Sequence, residues 1–197
     1  MAGLNRRTLL LGGTAIAAVA ALPFASRLTV FVGNAVAGEG EPVPGTFEVT
    51  HTDDEWRKIL GDDAFNIMRR QGTEYPGTSP LLNEHRVGTF VCAGCDLALY
   101  DSSTKFDSGT GWPSFWQPLK KDAVKELEDK SFGMVRTEVK SAKSGAHLGH
   151  LFDDGPKPTG LRYCINSSSL KFIPKDKLDE AGLGEYKKLF AEETAKK

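Results

Sequence analysis

The sequence predicts a mainly β domain of antiparallel strands, preceded by short helices and followed by a C-terminal helix. Three observations carry that expectation. Short strand-like runs recur between residues 88 and 173: Gly88 to Val91, Leu97 to Tyr100, Phe132 to Lys140, His147 to Phe152, Leu161 to Asn166 and Leu170 to Ile173. Turn formers separate them, as in Asp107-Ser108-Gly109-Thr110-Gly111 and Asp153-Asp154-Gly155-Pro156. No long helical pattern lies between successive runs, so parallel crossovers are not expected.

The helices come first. Thr52 is a fair N-cap, and Asp53, Asp54 and Glu55 suit the positive end of a helix whose apolar face holds Trp56, Ile59 and Leu60. A second helix is expected over Asp62 to Gln71, with Ala64, Ile67 and Met68 as its stripe and Gly72 as its stop. Residues 73–80 read as loop. The end of the chain, Lys177 to Lys197, reads as a charged, solvated amphipathic helix, weakened by Gly182 and Gly184.

The chain has 197 residues, 40% of them hydrophobic, enough for one domain with a real core. A net charge of -1 offers no electrostatic case for nucleic acid. Three cysteines, Cys92, Cys95 and Cys164, leave at least one thiol unpaired within the chain. Arg6-Arg7 precedes an apolar run from Thr8 to Ala25, which resembles a twin-arginine export signal, and Ala35-Val36-Ala37 fits a small-residue cleavage site. The expected layout is a signal over 1–37, a Gly/Pro/Glu-rich linker over 38–50, a catalytic domain over 51–175 and a helical tail over 176–197. A periplasmic or extracytoplasmic location follows, with membrane anchoring if the signal stays uncleaved and no membrane contact once it is removed.

The chemistry concentrates in three segments. Leu161-Arg162-Tyr163-Cys164-Ile165-Asn166 alternates as a strand, with Leu161, Tyr163 and Ile165 toward the core and Arg162, Cys164 and Asn166 on the other face. A cation beside a thiol favours the reactive thiolate, although a small buried Cys in an ordinary strand fits this segment equally well. Two glycines and Pro113 fix the backbone around Trp112, which can wall a pocket or cap the core. His147 and His150 stand three apart, and a strand would turn them to opposite faces unless it bends at Gly149. Two histidines can bind metal, donate protons or simply be satisfied structural groups.

Together KFDSGTGWPSFW, RTEV and GAHLGHLFDDGPKPTGLRYCINSSSLKF resemble the methionine-R-sulfoxide reductases, the B type, over about Trp56 to Phe172. The resemblance implies two antiparallel sheets with short N-terminal helices. It implies reduction of the R epimer of protein-bound methionine sulfoxide, with Cys164 attacking the sulfoxide sulfur and becoming a sulfenic acid. Trp112 would hold the substrate's ε-methyl group. His147, His150 and Asn166 would line the site and position or protonate the oxygen. Arg162 would favour the Cys164 thiolate, and Asp154 would sit nearby as an acidic group. The implied partners are oxidised proteins or peptides and a thioredoxin-like thiol reductant.

The chain departs from that family in two places. Many members bind a structural zinc through two Cys-x-x-Cys pairs. Here Cys92 and Cys95 form the first pair, and Ser141 and Ser144 stand where the second would be, so no zinc or other cofactor is expected. Thr110 occupies the common resolving-cysteine position, which leaves Cys92 and Cys95 as the remaining candidates to resolve Cys164. Two competing functions are carried forward. One is a metal-binding or interaction module built on Cys92, Cys95, His147 and His150. The other is a general thiol oxidoreductase built on Cys92 and Cys95, for which the thioredoxin-type βαβ context is missing.

Overall fold

The computed structural model describes residues 47–190. The proposed signal, most of the linker and the last residues of the tail lie outside them. The helical part, α1, runs from Asp53 to Arg70. A capping box starts it: the Glu55 N–H donates to Thr52 Oγ1 at 3.3 Å and the Thr52 N–H to Glu55 Oε2 at 2.9 Å. Gly61, at φ 75° and ψ 167°, breaks the helix where two separate helices were expected. The stop falls one residue early, because Gln71 itself takes the left-handed cap at φ 57°. Trp56, Phe65, Ile67 and Met68 are buried. Ile59, assigned to the apolar face by its spacing, is exposed; Leu60, four residues on from Trp56, packs against the core instead.

Two antiparallel sheets follow. The first has strand order β2-β1-β9, from β1 (Gly88–Cys92), β2 (Ala98–Asp101) and β9 (Leu170–Pro174). The second has order β3-β4-β8-β7-β6-β5. Its members are β3 (Lys105–Phe106), β4 (Ser114–Phe115), β5 (Val124–Asp129), β6 (Arg136–Ser141), β7 (His147–Phe152) and β8 (Arg162–Ile165). Aromatic side chains join the sheets. Tyr100 of β2 stacks on Phe115 of β4 at 4.3 Å between centroids, and Phe90 of β1 meets the same ring edge-on at 5.0 Å. Burial of these rings with Leu99, Val139, Leu148 and Ile165 forms one core.

The expected strand over Phe132 to Lys140 is shorter than read, beginning only at Arg136. Phe132 sits exposed in a turn at φ 55°, and its missing partner is β5, whose Val-Lys-Glu-Leu-Glu-Asp run carries too many charges to read as a strand. The described part of the tail is also different from the expected solvated α-helix. Lys175–Lys177 and Gly184–Phe190 form 3₁₀ turns, and Leu178 and Phe190 are fully buried. Among the described residues no helix is long and apolar enough to cross a membrane.

Candidate active site

The site is built on the middle of the larger sheet. Strand β8 lies between β4 and β7, and the ladder places Cys164 directly opposite Ser114 on one side and His150 on the other. Directly paired residues on adjacent antiparallel strands share a face, with Cβ atoms about 5 Å apart. The alternation read in the sequence holds: Tyr163 and Ile165 are in the core, and Cys164 opens onto the other face. Gly149 lets β7 lie close to β8 at this point. A Cβ there would collide with the Cys164 carbonyl.

The two histidines reach the same side by a route other than the expected bend. In β7, His147 pairs with Lys140 and Gly149 with Val139, so Leu148 is an extra residue in the ladder. This β-bulge shifts the alternation by one and brings the two rings to 5.4 Å between centroids. Their roles then diverge. His150 faces the cavity, and its Nε2 meets Asp129 Oδ2 at 2.9 Å. His147 is buried behind it, with Nδ1 at 2.7 Å from Glu138 Oε1 and no protein partner for Nε2.

A cavity of about 160 Å³ opens at Cys164. Trp112, His150 and Asn166 line it as expected, joined by Thr73, Arg136, Gly149 and Phe152. It has room for the end of one side chain. Asn166 is held rigidly, donating Nδ2–H to the Leu148 carbonyl at 3.1 Å and accepting the Glu74 N–H at 3.2 Å. Trp112 donates its indole N–H to the Glu74 carbonyl at 3.2 Å. The structure does not place His147, Asp154 or Arg162 on the cavity wall. Arg162 is buried behind Cys164, in a two-pronged pair with the exposed Asp154 at 2.8 Å on each prong and with its guanidinium 4.3 Å over the Phe152 ring.

Arg162 acts on Cys164 in the expected direction, but burial outweighs it. Burial pushes the Cys164 thiol above its ordinary value; Arg162 and the Thr110 hydroxyl pull it down without overcoming burial. Burial likewise holds His150 below the usual imidazole value, against the pull of Asp129. Asp129 lies far below the usual carboxylate range, through its hydrogen bonds from Ser131 first and then from His150 and Arg136. For Glu138, burial pushes upward, but His147 and Lys140 together outweigh it and leave the carboxyl lowered.

Sequence reasoning missed Glu74, Asp129, Arg136 and Glu138. The most connected is Glu74. Its carboxylate accepts the Ser167 N–H at 2.6 Å, the Ser168 N–H at 3.0 Å and the Ser168 hydroxyl at 2.8 Å. Its backbone holds Asn166 and Trp112. A loop acid of this kind has no periodic signal, and only its being the one carboxylate in Gly72-Thr73-Glu74-Tyr75-Pro76 marked it.

Cys92 and Cys95 lie elsewhere, against the two serines that were aligned with the missing ligands. Cys92 Sγ is 3.9 Å from Ser144 Oγ, and Cys95 Sγ is 3.5 Å from Ser141 Oγ. Two thiols and two neutral hydroxyls do not fit tetrahedral zinc, which takes thiolate, imidazole or carboxylate donors. Cys92, Cys95, His147 and His150 do not converge either: among the described residues no three Cys, His, Asp or Glu side chains form a metal-holding group. That removes the geometric basis of the metal-module reading.

Comparison with known proteins identifies the family. Residues 60–174 match the family described as SelR domain. The peptide methionine sulfoxide reductase MsrB of Leptospira interrogans is 52% identical over 126 residues, covering 64% of this chain and 96% of that protein. The protein of the same name from Pseudomonas putida strain W619 is 53% identical over 129 residues, covering 66% and 97%. That from Saccharophagus degradans is 54% identical over 125 residues, covering 63% and 93%. With a cysteine–histidine pair in a tryptophan-walled cavity and matches of this extent, the chain belongs to the SelR-domain family, the methionine-R-sulfoxide reductases of the B type.

Proposed function

We propose that this chain reduces the R epimer of protein-bound methionine sulfoxide, with Cys164 as nucleophile and its sulfenic acid as the intermediate. The observation that carries the reading is the cross-strand pair of Cys164 and His150 at the floor of a cavity walled by Trp112. The chemistry needs a soft nucleophile, a proton for the leaving oxygen and an apolar seat for a methyl group. Cys164, His150 and the Trp112 indole supply the three.

The proton balance suits the electrostatics. Burial keeps Cys164 as a thiol and His150 as a neutral imidazole. The thiol sulfur bonds to the sulfoxide sulfur as its proton passes, through His150, to the sulfoxide oxygen. Transfer of that hydroxyl to Cys164 gives the sulfenic acid and releases the thioether. No proton is taken up from solvent, because the one that the thiol loses is the one that the oxygen gains. Asp129 fixes the His150 ring by its Nε2, and Asn166 holds the far wall.

The second half requires a thiol donor. Thr110 occupies the loop next to Cys164 and cannot form a disulfide. We assign the reduction of the sulfenic acid to an external thioredoxin-like thiol, acting directly on Cys164. The working compartment is extracytoplasmic, on the strength of Arg6-Arg7 and the apolar run that follows.

Cys164→Ser tests the core of this reading. It should abolish turnover of a peptide carrying methionine-R-sulfoxide, while wild type reduces that epimer and leaves the S epimer untouched. A full-rate serine variant, or equal rates on both epimers, would sink it. Mass spectrometry of wild type after one turnover without reductant should find one added oxygen on Cys164.

A further inference from the structure

We propose that Cys92 and Cys95 form a second redox site, a vicinal dithiol that closes reversibly to a disulfide by exchange with an external disulfide and independently of Cys164. The argument starts from the backbone. Cys92 to Leu97 and Ser141 to Ala146 are the same turn twice. In the first, the Cys92 N–H donates to the Leu97 carbonyl at 2.8 Å and the Asp96 N–H to the Cys92 carbonyl at 3.0 Å. In the second, the Ser141 N–H donates to the Ala146 carbonyl at 2.9 Å and the Gly145 N–H to the Ser141 carbonyl at 2.9 Å. The turns face each other, and their side chains converge as Cys92 with Ser144 and Cys95 with Ser141. Such convergence of four short side chains is the geometry of a tetrahedral ion site, but only two of the four can ionise.

What remains is a pair of thiols at Cys-x-x-Cys spacing on one turn, each against a serine of the facing turn. Their environments differ in a useful way. Cys92 is fully buried, whereas Cys95 is half-buried and reachable from solvent. The Cys92 thiol first, and the Ser141 and Ser144 hydroxyls with it, hold Cys95 as the more acidic of the two. That ordering sets the sequence of steps. The Cys95 thiolate attacks one sulfur of an external disulfide, forms a mixed disulfide and expels one thiolate. The Cys92 thiol then gives its proton to that thiolate and attacks the Cys95 sulfur, expelling the second thiolate. Two protein thiols lose two electrons in total, and one external disulfide becomes two thiols, the second expelled thiolate taking from solvent the proton that Cys95 released.

The site has a structural reach of its own. Gly94, inside the first turn, packs against the Trp56 ring of α1. Arg69 of α1 donates to the Ser144 carbonyl of the second turn at 3.0 Å. Closing the disulfide therefore covalently shuts the turn on which the helix is seated. None of the residues lining the Cys164 cavity belongs to either turn.

The test uses the full chain carrying Cys164→Ser, so that it does not depend on the catalytic assignment. The protein is incubated with oxidised glutathione, alkylated and weighed intact. The expected result is a mass lower than the reduced protein by two hydrogens, no alkylation, a Cys92–Cys95 cross-linked peptide, and two alkylations again after treatment with a dithiol. Cys92→Ala in the same background should instead keep a stable glutathione adduct on Cys95. Two thiols that stay alkylatable, or an adduct that persists when Cys92 is present, would overturn the proposal, as would stoichiometric zinc in the purified protein. Ser141→Cys with Ser144→Cys should convert the site, giving one zinc per chain and loss of the glutathione reaction. Failure to take up zinc would show that the two turns do not converge as described.

Discussion

Cys164 and His150 are both held toward their neutral forms, and that has a measurable consequence. If the thiol proton itself reaches the sulfoxide oxygen, the competent form is thiol with neutral imidazole. The acid limit is then protonation of His150, below the ordinary 6.5, and the alkaline limit is ionisation of Cys164, above the ordinary 9.0. Single-turnover rates should be level between those limits and fall outside them. A narrow bell, or an acid limb above the ordinary imidazole value, would show that a preformed thiolate–imidazolium pair does the work. Arg162→Gln should raise the alkaline limb further, because it removes the cation that opposes burial at Cys164. Glu74 makes a different prediction. Its carboxylate ties the loop that holds Trp112 and Asn166 to the start of the Ser167–Ser169 turn. Glu74→Ala leaves two half-buried N–H groups without an acceptor and should cost about 2–3 kcal/mol of stability. At a temperature where the variant is folded, KM should rise and the Trp112 emission should shift, while Glu74→Gln recovers part of both. Unchanged KM and emission would limit Glu74 to a purely structural part.

The elements decide which side chains can meet, and two of them invite direct tests. The loop before β4 carries Thr110, whose hydroxyl acts on Cys164. Thr110→Cys should therefore create an internal resolving step. After one turnover without reductant, wild type should carry a sulfenic acid, whereas the variant should carry a Thr110→Cys to Cys164 disulfide, seen as the loss of two alkylatable thiols. An unchanged sulfenic acid in the variant would mean that the loop does not reach Cys164 during turnover. In β7 the bulge at Leu148 and the missing Cβ at Gly149 together seat His150 opposite Cys164. Gly149→Ala forces β7 away from the Cys164 carbonyl. It should reduce kcat by at least about tenfold, the effect of roughly 1.4 kcal/mol in the barrier, since small misplacements of reacting groups are costly. Strand identity was readable here from a short run set off by turn residues. The bulge was not, because an extra residue in a ladder is set by the partner strand and leaves no mark on the strand's own pattern.

At the scale of the molecule, the readable parts were those with a local cause. The antiparallel pairing, the Thr52 cap and the outward face of β8 follow from turn chemistry, capping and period-two alternation. The acidic partners Asp129 and Glu138 did not follow, since β5 and β6 deliver them from far along the chain as apparently solvated charges. The C-terminal segment failed for a related reason: its charges suggested a free helix, while two apolar residues decide its fate. Leu178 and Phe190 are fully buried, the Lys175 ammonium donates to the Phe190 carbonyl at 3.0 Å, and the turns between them close on the Leu183 N–H to Leu178 carbonyl bond at 2.7 Å. The segment is thus seated by two fully buried side chains, neither of which lines the Cys164 cavity. Phe190→Ala removes a large buried ring and should lower stability by about 3–5 kcal/mol. Activity per folded molecule should stay unchanged, because Phe190 does not line the Cys164 cavity. Denaturant unfolding and kcat/KM measured on the same preparation separate the two quantities. A stable variant would return the tail to the solvated reading, and a stable but slow one would tie it to the active site.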